Sequence, residues 1–168
     1  MKKLIVLVAS VFMLQACDDG DITLESFNFD TATIQNCTDN NLVFKINDKE
    51  LLLLSIPESS FLNEETPDGS PRIINVGTTN QIIYRLYSGN VSSATICSTL
   101  PPASPVVEKE WNASGGTIEI ITDALYDVDG ITINGYTHNI KFKNVNFSNP
   151  DNSFSFTDYI FGNYETDL

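Results

Sequence analysis

Positive charge is scarce in this chain: nine lysines and arginines face 22 aspartates and glutamates, for a net charge of −13 and an isoelectric point near 4.1. That balance repels nucleic acid and anionic lipid headgroups, and excludes both as partners held by charge. No cofactor is expected beyond a diffuse attraction of Ca2+. Histidine occurs once, at His138, and there is no Cys-x-x-Cys pair, so a zinc site lacks a ligand set. A Gly-x-Ser-x-Gly elbow is also missing, and Tyr136-Thr137-His138-Asn139 offers the lone histidine no nucleophile. We therefore read His138 as a strand residue facing solvent or the sheet edge. Helical periodicity is nearly absent, and no repeat emerges at a fixed period. No apolar run reaches the ~20 residues of a membrane-spanning helix.

What is present is strand signal punctuated by turn residues. Hydrophobic residues make up 42% and aromatics 10% of the chain, a globular composition. Candidate strands are Ser26–Phe29, Thr31–Cys37, Leu42–Asn47, Glu50–Ile56, Arg72–Val76, Gln81–Ser88, Ser93–Ser98, Val106–Asn112, Thr117–Asp123, Ile131–Ile133, Tyr136–Phe147, Phe154–Thr157 and Tyr159–Tyr164. Many short strands of this kind predict an all-β fold, a single antiparallel β-sandwich of immunoglobulin-like Greek-key or jelly-roll-like order. Three hairpins are expected: one across Asn47-Asp48-Lys49, one across Gly115-Gly116, and one across Asn134-Gly135. Leu51 to Leu54 is apolar on both faces, which predicts a strand buried on both sides. In Tyr136–Phe147, Ile140 and Phe142 share one parity while Val145 and Phe147 share the other, so the strand must bulge or change sheets near Asn144. Thr99–Pro105 carries three prolines and reads as a crossover loop.

The N-terminus reads differently. Met1-Lys2-Lys3 is positive, and Leu4 to Ala16 is apolar except for Ser10 and Gln15, the pattern of a short secretory signal. Thirteen residues make a helix of only about 20 Å. Leu14 is too bulky for the −3 position of ordinary signal cleavage. Leu14-Gln15-Ala16-Cys17 instead resembles the lipobox of bacterial lipoproteins. That resemblance implies cleavage between Ala16 and Cys17 and a diacylglycerol thioether on Cys17, often with a further N-acyl chain such as palmitate. Two or more acyl chains hold a protein stably on a membrane, where one does so only marginally. The alternative is an unmodified Cys17 thiol paired in a disulfide. The acidic run Asp18-Asp19-Gly20-Asp21 resembles the surface-export tether of Bacteroidetes lipoproteins. In enteric bacteria an aspartate at that place would instead imply retention at the inner membrane. Arginine occurs only at Arg72 and Arg85, which leans toward the first reading. Over its whole length the chain resembles small β-sandwich lipoproteins of flavobacteria.

The expected organisation is a signal peptide over 1–16, a lipidated tether over 17–25 and one domain over 26–168. Residues 1–16 carry two lysines and no acid, so the chain without them has a net charge of −15. With Cys17 lipidated, Cys37 and Cys97 remain. An exported chain predicts a disulfide between them, with two buried free thiols as the alternative.

Four candidate sites follow. Asp123, Asp127 and Asp129 before Gly130 echo the start of a calcium loop. Aligning that glycine, however, puts Leu125 at the first ligand and Tyr136 at the bidentate one, and a solvated acidic turn explains the run as well. Trp111, Tyr126 and Tyr136 are the candidate stacking platform for a glycan; the alternative is core or cross-strand packing. Asp30-Thr31-Ala32 resembles the O-glycosylation pattern of exported Bacteroidetes proteins and would place a glycan on Thr31. Glycoside hydrolysis needs two carboxylates across a sugar bond, and with 22 acids some pair always exists, so the count decides nothing.

The functional expectation is a non-enzymatic, lipid-anchored cell-envelope protein, surface-exposed on the outer membrane or alternatively facing the periplasm. Its domain would act as a binding or structural module, partnered by the membrane and by glycan or envelope proteins. A glycan-binding accessory protein or adhesin is the second reading and a carboxylate-dependent hydrolase the third.

Overall fold

The computed structural model describes residues 27–40, 42–67 and 69–168, and strands make up just over half of these described residues. The strands are β1 (Ile34–Asn36), β2 (Leu42–Asn47), β3 (Glu50–Ser55), β4 (Arg72–Asn75), β5 (Gln81–Tyr87), β6 (Val107–Ala113), β7 (Thr117–Tyr126), β8 (Ile133–Ser148) and β9 (Ser153–Asp167). One short helix, α1 (Ser93–Cys97), lies between β5 and β6. The expected all-β, antiparallel class is what the chain adopts. The nine strands among the described residues form one hydrogen-bonded sheet in the order β1-β2-β3-β5-β6-β8-β7-β4, with β9 also on β8, so the pairing does not separate two facing sheets.

The β2–β3 hairpin forms as expected, with Asn47 opposite Glu50 and the turn residue Asp48 at φ +52°, a left-handed conformation aspartate tolerates. β3 is buried on both sides. Leu52 and Leu54 join Val43, Ile82 and Tyr84 in the main core, while Leu51 and Leu53 pack with Phe44, Ile83 and Tyr87 on the other face. That second face is covered by the segment from Ser88 to Val106, to which α1 contributes Ile96 and Cys97.

The Gly115-Gly116 hairpin does not form. β6 and β7 lie end to end along β8 in a single register, Ala113 opposite Phe147 and Thr117 opposite Lys143. The break between them sits against Asn144, whose φ is +52°. A Cβ on Gly116 would lie 2.7 Å from the carbonyl oxygens of Lys143 and Asn144. Gly116, at φ +105°, therefore serves a close backbone approach rather than a hairpin turn, while a Cβ on Gly115 would meet nothing within 4 Å.

The parity change foreseen near Asn144 is real: Ile140 and Phe142 before it, and Val145 and Phe147 after it, are all buried in the same core. On one side of this point β8 is flanked by β7, which carries β4; on the other it is flanked by β6, which carries β5, β3, β2 and β1. β9 follows β8 through the bend and is a continuous strand where two were expected.

Three further expectations give way. Asn134-Gly135 is not a turn but part of β8; Gly135 pairs with both Leu125 and Asp167, and a Cβ there would lie 2.6 Å from the Thr166 carbonyl oxygen. The β7–β8 turn lies earlier, at Asp127–Thr132, with Gly130 at φ +67°. Ser93–Ser98 is largely helix rather than strand, because Thr95 and Ile96 amides close on the Ser92 carbonyl and turn Ile96 and Cys97 onto the sheet. The candidate strand at Ser26–Phe29 forms no ladder over Phe27–Phe29, and Ser26 lies outside the described residues. Phe27 instead plugs the core, its ring 4.7 Å from Phe156 and 5.1 Å from Tyr84.

Replacing Gly116 with alanine should destabilise the protein by about 2–4 kcal/mol, from backbone strain plus overpacking. Gly77→Ala, where a Cβ meets nothing within 4 Å, should change stability by less than about 1 kcal/mol. Urea unfolding of the two variants checks both figures.

Candidate functional site

The outer face of β5 carries Ile83, Arg85 and Tyr87 at alternate positions, opposite Leu53 and Leu51 of β3. An arginine in an otherwise apolar row is costly unless it is paired. Arg85 is paired: its Nε donates to Glu110 Oε2 at 2.6 Å, from the neighbouring strand β6. Burial disfavours the Arg85 charge, but Glu110 and the Tyr87 phenol outweigh burial and hold the guanidinium pKa above its ordinary value.

Above this face the chain from Ser88 to Val106 forms a strap. It is moored midway by the disulfide between Cys37 and Cys97, with Cα atoms 5.4 Å apart. Its two ends are tied to each other: the Ser88 amide donates to the Val106 carbonyl at 2.9 Å, and the Val106 amide donates to Ser88 Oγ at 3.0 Å. Between the moorings runs the proline-rich stretch expected as a crossover loop. A cleft of about 470 Å³ remains between strap and sheet. Its floor is Leu42, Leu53, Arg85 and Tyr87; its roof and rim are Thr95, Ile96, Ser98, Pro101, Pro102, Pro105, Val106 and Val107. A smaller cleft of about 160 Å³ lies by Asn36, Glu58, Phe61 and Tyr164.

His138 is fully buried, contrary to the solvent-facing position expected for it. Arg72 Nη2 donates to Thr122 Oγ1 through a short hydrogen bond, so the Thr122 hydroxyl proton points to His138 Nδ1 at 2.8 Å. That assignment leaves the ring proton on Nε2, which donates to Thr166 Oγ1 at 3.0 Å; Thr166 Oγ1 in turn donates to Asn63 Oδ1 at 2.9 Å. Arg72 also donates to the carbonyls of Leu62 and Glu64, both at 3.3 Å. The chain ties the loop before β4 to β7, β8 and β9. Both imidazole nitrogens are occupied, so His138 acts here as a cross-link. Burial, and then the Arg72 charge, lower its pKa from 6.5 to about 4.

The other candidates are placed as follows. Cys17 and the Ala16–Cys17 cleavage point lie outside the described residues. Thr31 is exposed in a turn. The three aromatics are not brought together: Trp111 is buried against Tyr84 at 5.0 Å and donates to Asn152 Oδ1 at 2.6 Å. Tyr126 is half exposed at the opposite end of β8, and the part-buried Tyr136 sits near it, opposite Ala124 and Thr166. They form no common platform. Asp129 accepts from the Ile131 and Thr132 amides and from the Thr132 hydroxyl, and Asp127 accepts from the Val128 amide, so both carboxylates build the β7–β8 turn. Asp123 is exposed on β7. Among the described residues no three His, Cys, Asp or Glu side chains gather as metal ligands.

The sequence marks Thr99–Pro105 as a crossover loop but assigns no functional role to it or to Arg85. The signal was present in the alternation of Ile83, Arg85 and Tyr87 followed by Thr99–Pro105. No protein-family model matches the chain, and neither a curated protein nor a solved structure does so. The fold and cleft thus define an all-β protein of one curled sheet with a disulfide-moored strap.

Two predictions follow from these contacts. The folded state keeps His138 neutral, whereas the unfolded chain takes up a proton near pH 6.5. The stabilisation is full above pH 6.5 and is lost as pH falls toward about 4, a difference of at most about 3 kcal/mol. Urea unfolding from pH 7 to 4 should show this loss in the native chain and not in His138→Gln, each measured against its own value at pH 7. Removing the disulfide by Cys37→Ala with Cys97→Ala opens a 60-residue separation and should lower stability by about 4 kcal/mol. The same double variant should be cut faster by protease between Ser98 and Val106.

Proposed function

We propose that this chain is a lipid-anchored cell-envelope protein whose β domain serves as a binding module. The observation that carries the binding role is the cleft between the strap and β5. Its volume of about 470 Å³ lies within the range of small-molecule sites, and its walls are mostly apolar with a few polar groups. Support for the anchor comes from Leu14-Gln15-Ala16-Cys17 behind a short apolar run. Among the described residues no helix is long and apolar enough to cross a membrane. Cys17 to Ser26 is ten residues, which bounds the reach from lipid to domain at about 35 Å. The acidic run Asp18-Asp19-Gly20-Asp21 supports placement on the outer surface of the outer membrane.

Intact mass of protein extracted from membranes should correspond to a chain beginning at Cys17 with added acyl mass. Cys17→Ala should lose that mass and leave the membrane fraction. An unacylated mass in the native protein would refute the anchor. Replacing Asp18, Asp19 and Asp21 by alanine should remove the domain from the reach of external protease on intact cells.

A further inference from the structure

The chemistry of the strap cleft identifies its ligand more closely. We propose that the cleft binds a monoanionic amphiphile, with an apolar chain between the sheet and the prolines and a single carboxylate against Arg85. The inference rests on the reading of this cleft as a binding site.

Leu42 and Leu53 below, with Ile96, Pro101, Pro102, Pro105, Val106 and Val107 above and at the rim, give an alkyl chain apolar contact on both sides. Arg85 is the sole charged side chain among the lining residues. Its partners are Glu110 on Nε and the Tyr87 phenol, and a guanidinium has five N–H donors, so these two do not exhaust it. A carboxylate is the planar anion that such a fork matches. The surroundings favour one negative charge and not several, because the chain as a whole carries −13 and repels anions beyond the reach of this single cation.

The strap explains how the cleft stays open without closing on itself. It is fixed at Cys97 and at Val106. Between them a local tie runs from Ser98 Oγ, which donates to the Leu100 carbonyl at 2.6 Å. Val106 is 52% and Val107 44% exposed, so apolar surface stands open to solvent at the rim. A bound chain would cover part of it, at roughly 25 cal/mol per Å² removed from water.

The test uses the full chain carrying Cys17→Ala, so that no attached lipid competes. Octanoate, 1-octanol and octylammonium are titrated separately at constant ionic strength and followed by backbone amide NMR. Octanoate should saturate, with shifts centred on Leu53, Arg85, Tyr87, Ile96, Val106 and Val107. 1-Octanol should bind the same residues on the order of tenfold more weakly, and octylammonium more weakly again. Arg85→Met combined with Glu110→Gln, which removes the cation without stranding its carboxylate partner, should reduce octanoate affinity to that of 1-octanol. Val107→Trp, at a rim position 44% exposed, fills the mouth and should abolish binding of all three without depending on the Arg85–Glu110 pair. If 1-octanol binds as tightly as octanoate, the carboxylate assignment is overturned while the cleft remains a binding site. If none of the three gives a saturable shift at the cleft, both this inference and the binding-module reading fall.

Discussion

At Gly116 two backbones approach more closely than any side chain permits. The oxygens of Lys143 and Asn144 occupy the place a Cβ would take, and Asn144 itself adopts a left-handed backbone. The rest of the architecture depends on this contact. It breaks 107–126 into β6 and β7 without disturbing the register against β8. It also reverses the parity of β8, so that Phe142 and Val145 both reach the core. A flat sheet could not bury both; a sheet folded at this point can. The strands on either side then supply one core, Ile118 and Ile120 meeting the residues around Leu52, Leu54 and Tyr84.

Folding the sheet solves the problem of its inner face and creates one on the outside. β2, β3 and β5 lie well within the sheet and carry apolar side chains on their outer surface too, including Phe44, Leu51, Leu53 and Ile83. Leaving these in water would expose a patch of the kind that drives association. The chain covers them with its own crossover, and the disulfide keeps that cover from lifting. The prolines cannot supply a ladder, so the cover lies over the sheet as a strap instead of pairing with it. The cleft is the space left by that arrangement, and Arg85, paired with Glu110 of β6, brings charge to the apolar face.

Much of this was legible in residue patterns. The parity change across Asn144, the double-faced apolar run of Leu51 to Leu54 and the remaining cysteine pair each have a direct physical reading, and each corresponds to a feature of the fold. The failures share a cause. Gly135 and Gly116 carry a turn signal in sequence, yet both mark places where another backbone comes close; local sequence does not distinguish a glycine that ends a hairpin from one whose missing Cβ makes room for a neighbouring strand. β-branched Thr95 and Ile96 suggested a strand, but the cover they form over the sheet favoured a helical turn. His138 looked exposed because its partners Thr122, Thr166 and Arg72 are distant in sequence, and only the fold assembles them. Trp111 reads equally well as a binding residue and as core until its neighbours are known.

The claim on which the account rests is that β6 and β7 form one interrupted strand along β8. Interstrand nuclear Overhauser effects between backbone protons measure this directly. The account predicts contacts between Ala113 and Phe147 and between Thr117 and Lys143, with none pairing Ala113 to Thr117. A ladder linking Ala113 to Thr117 and Asn112 to Ile118 would mean that Gly115-Gly116 is a hairpin turn after all, and would contradict the folded sheet and everything built on its outer face.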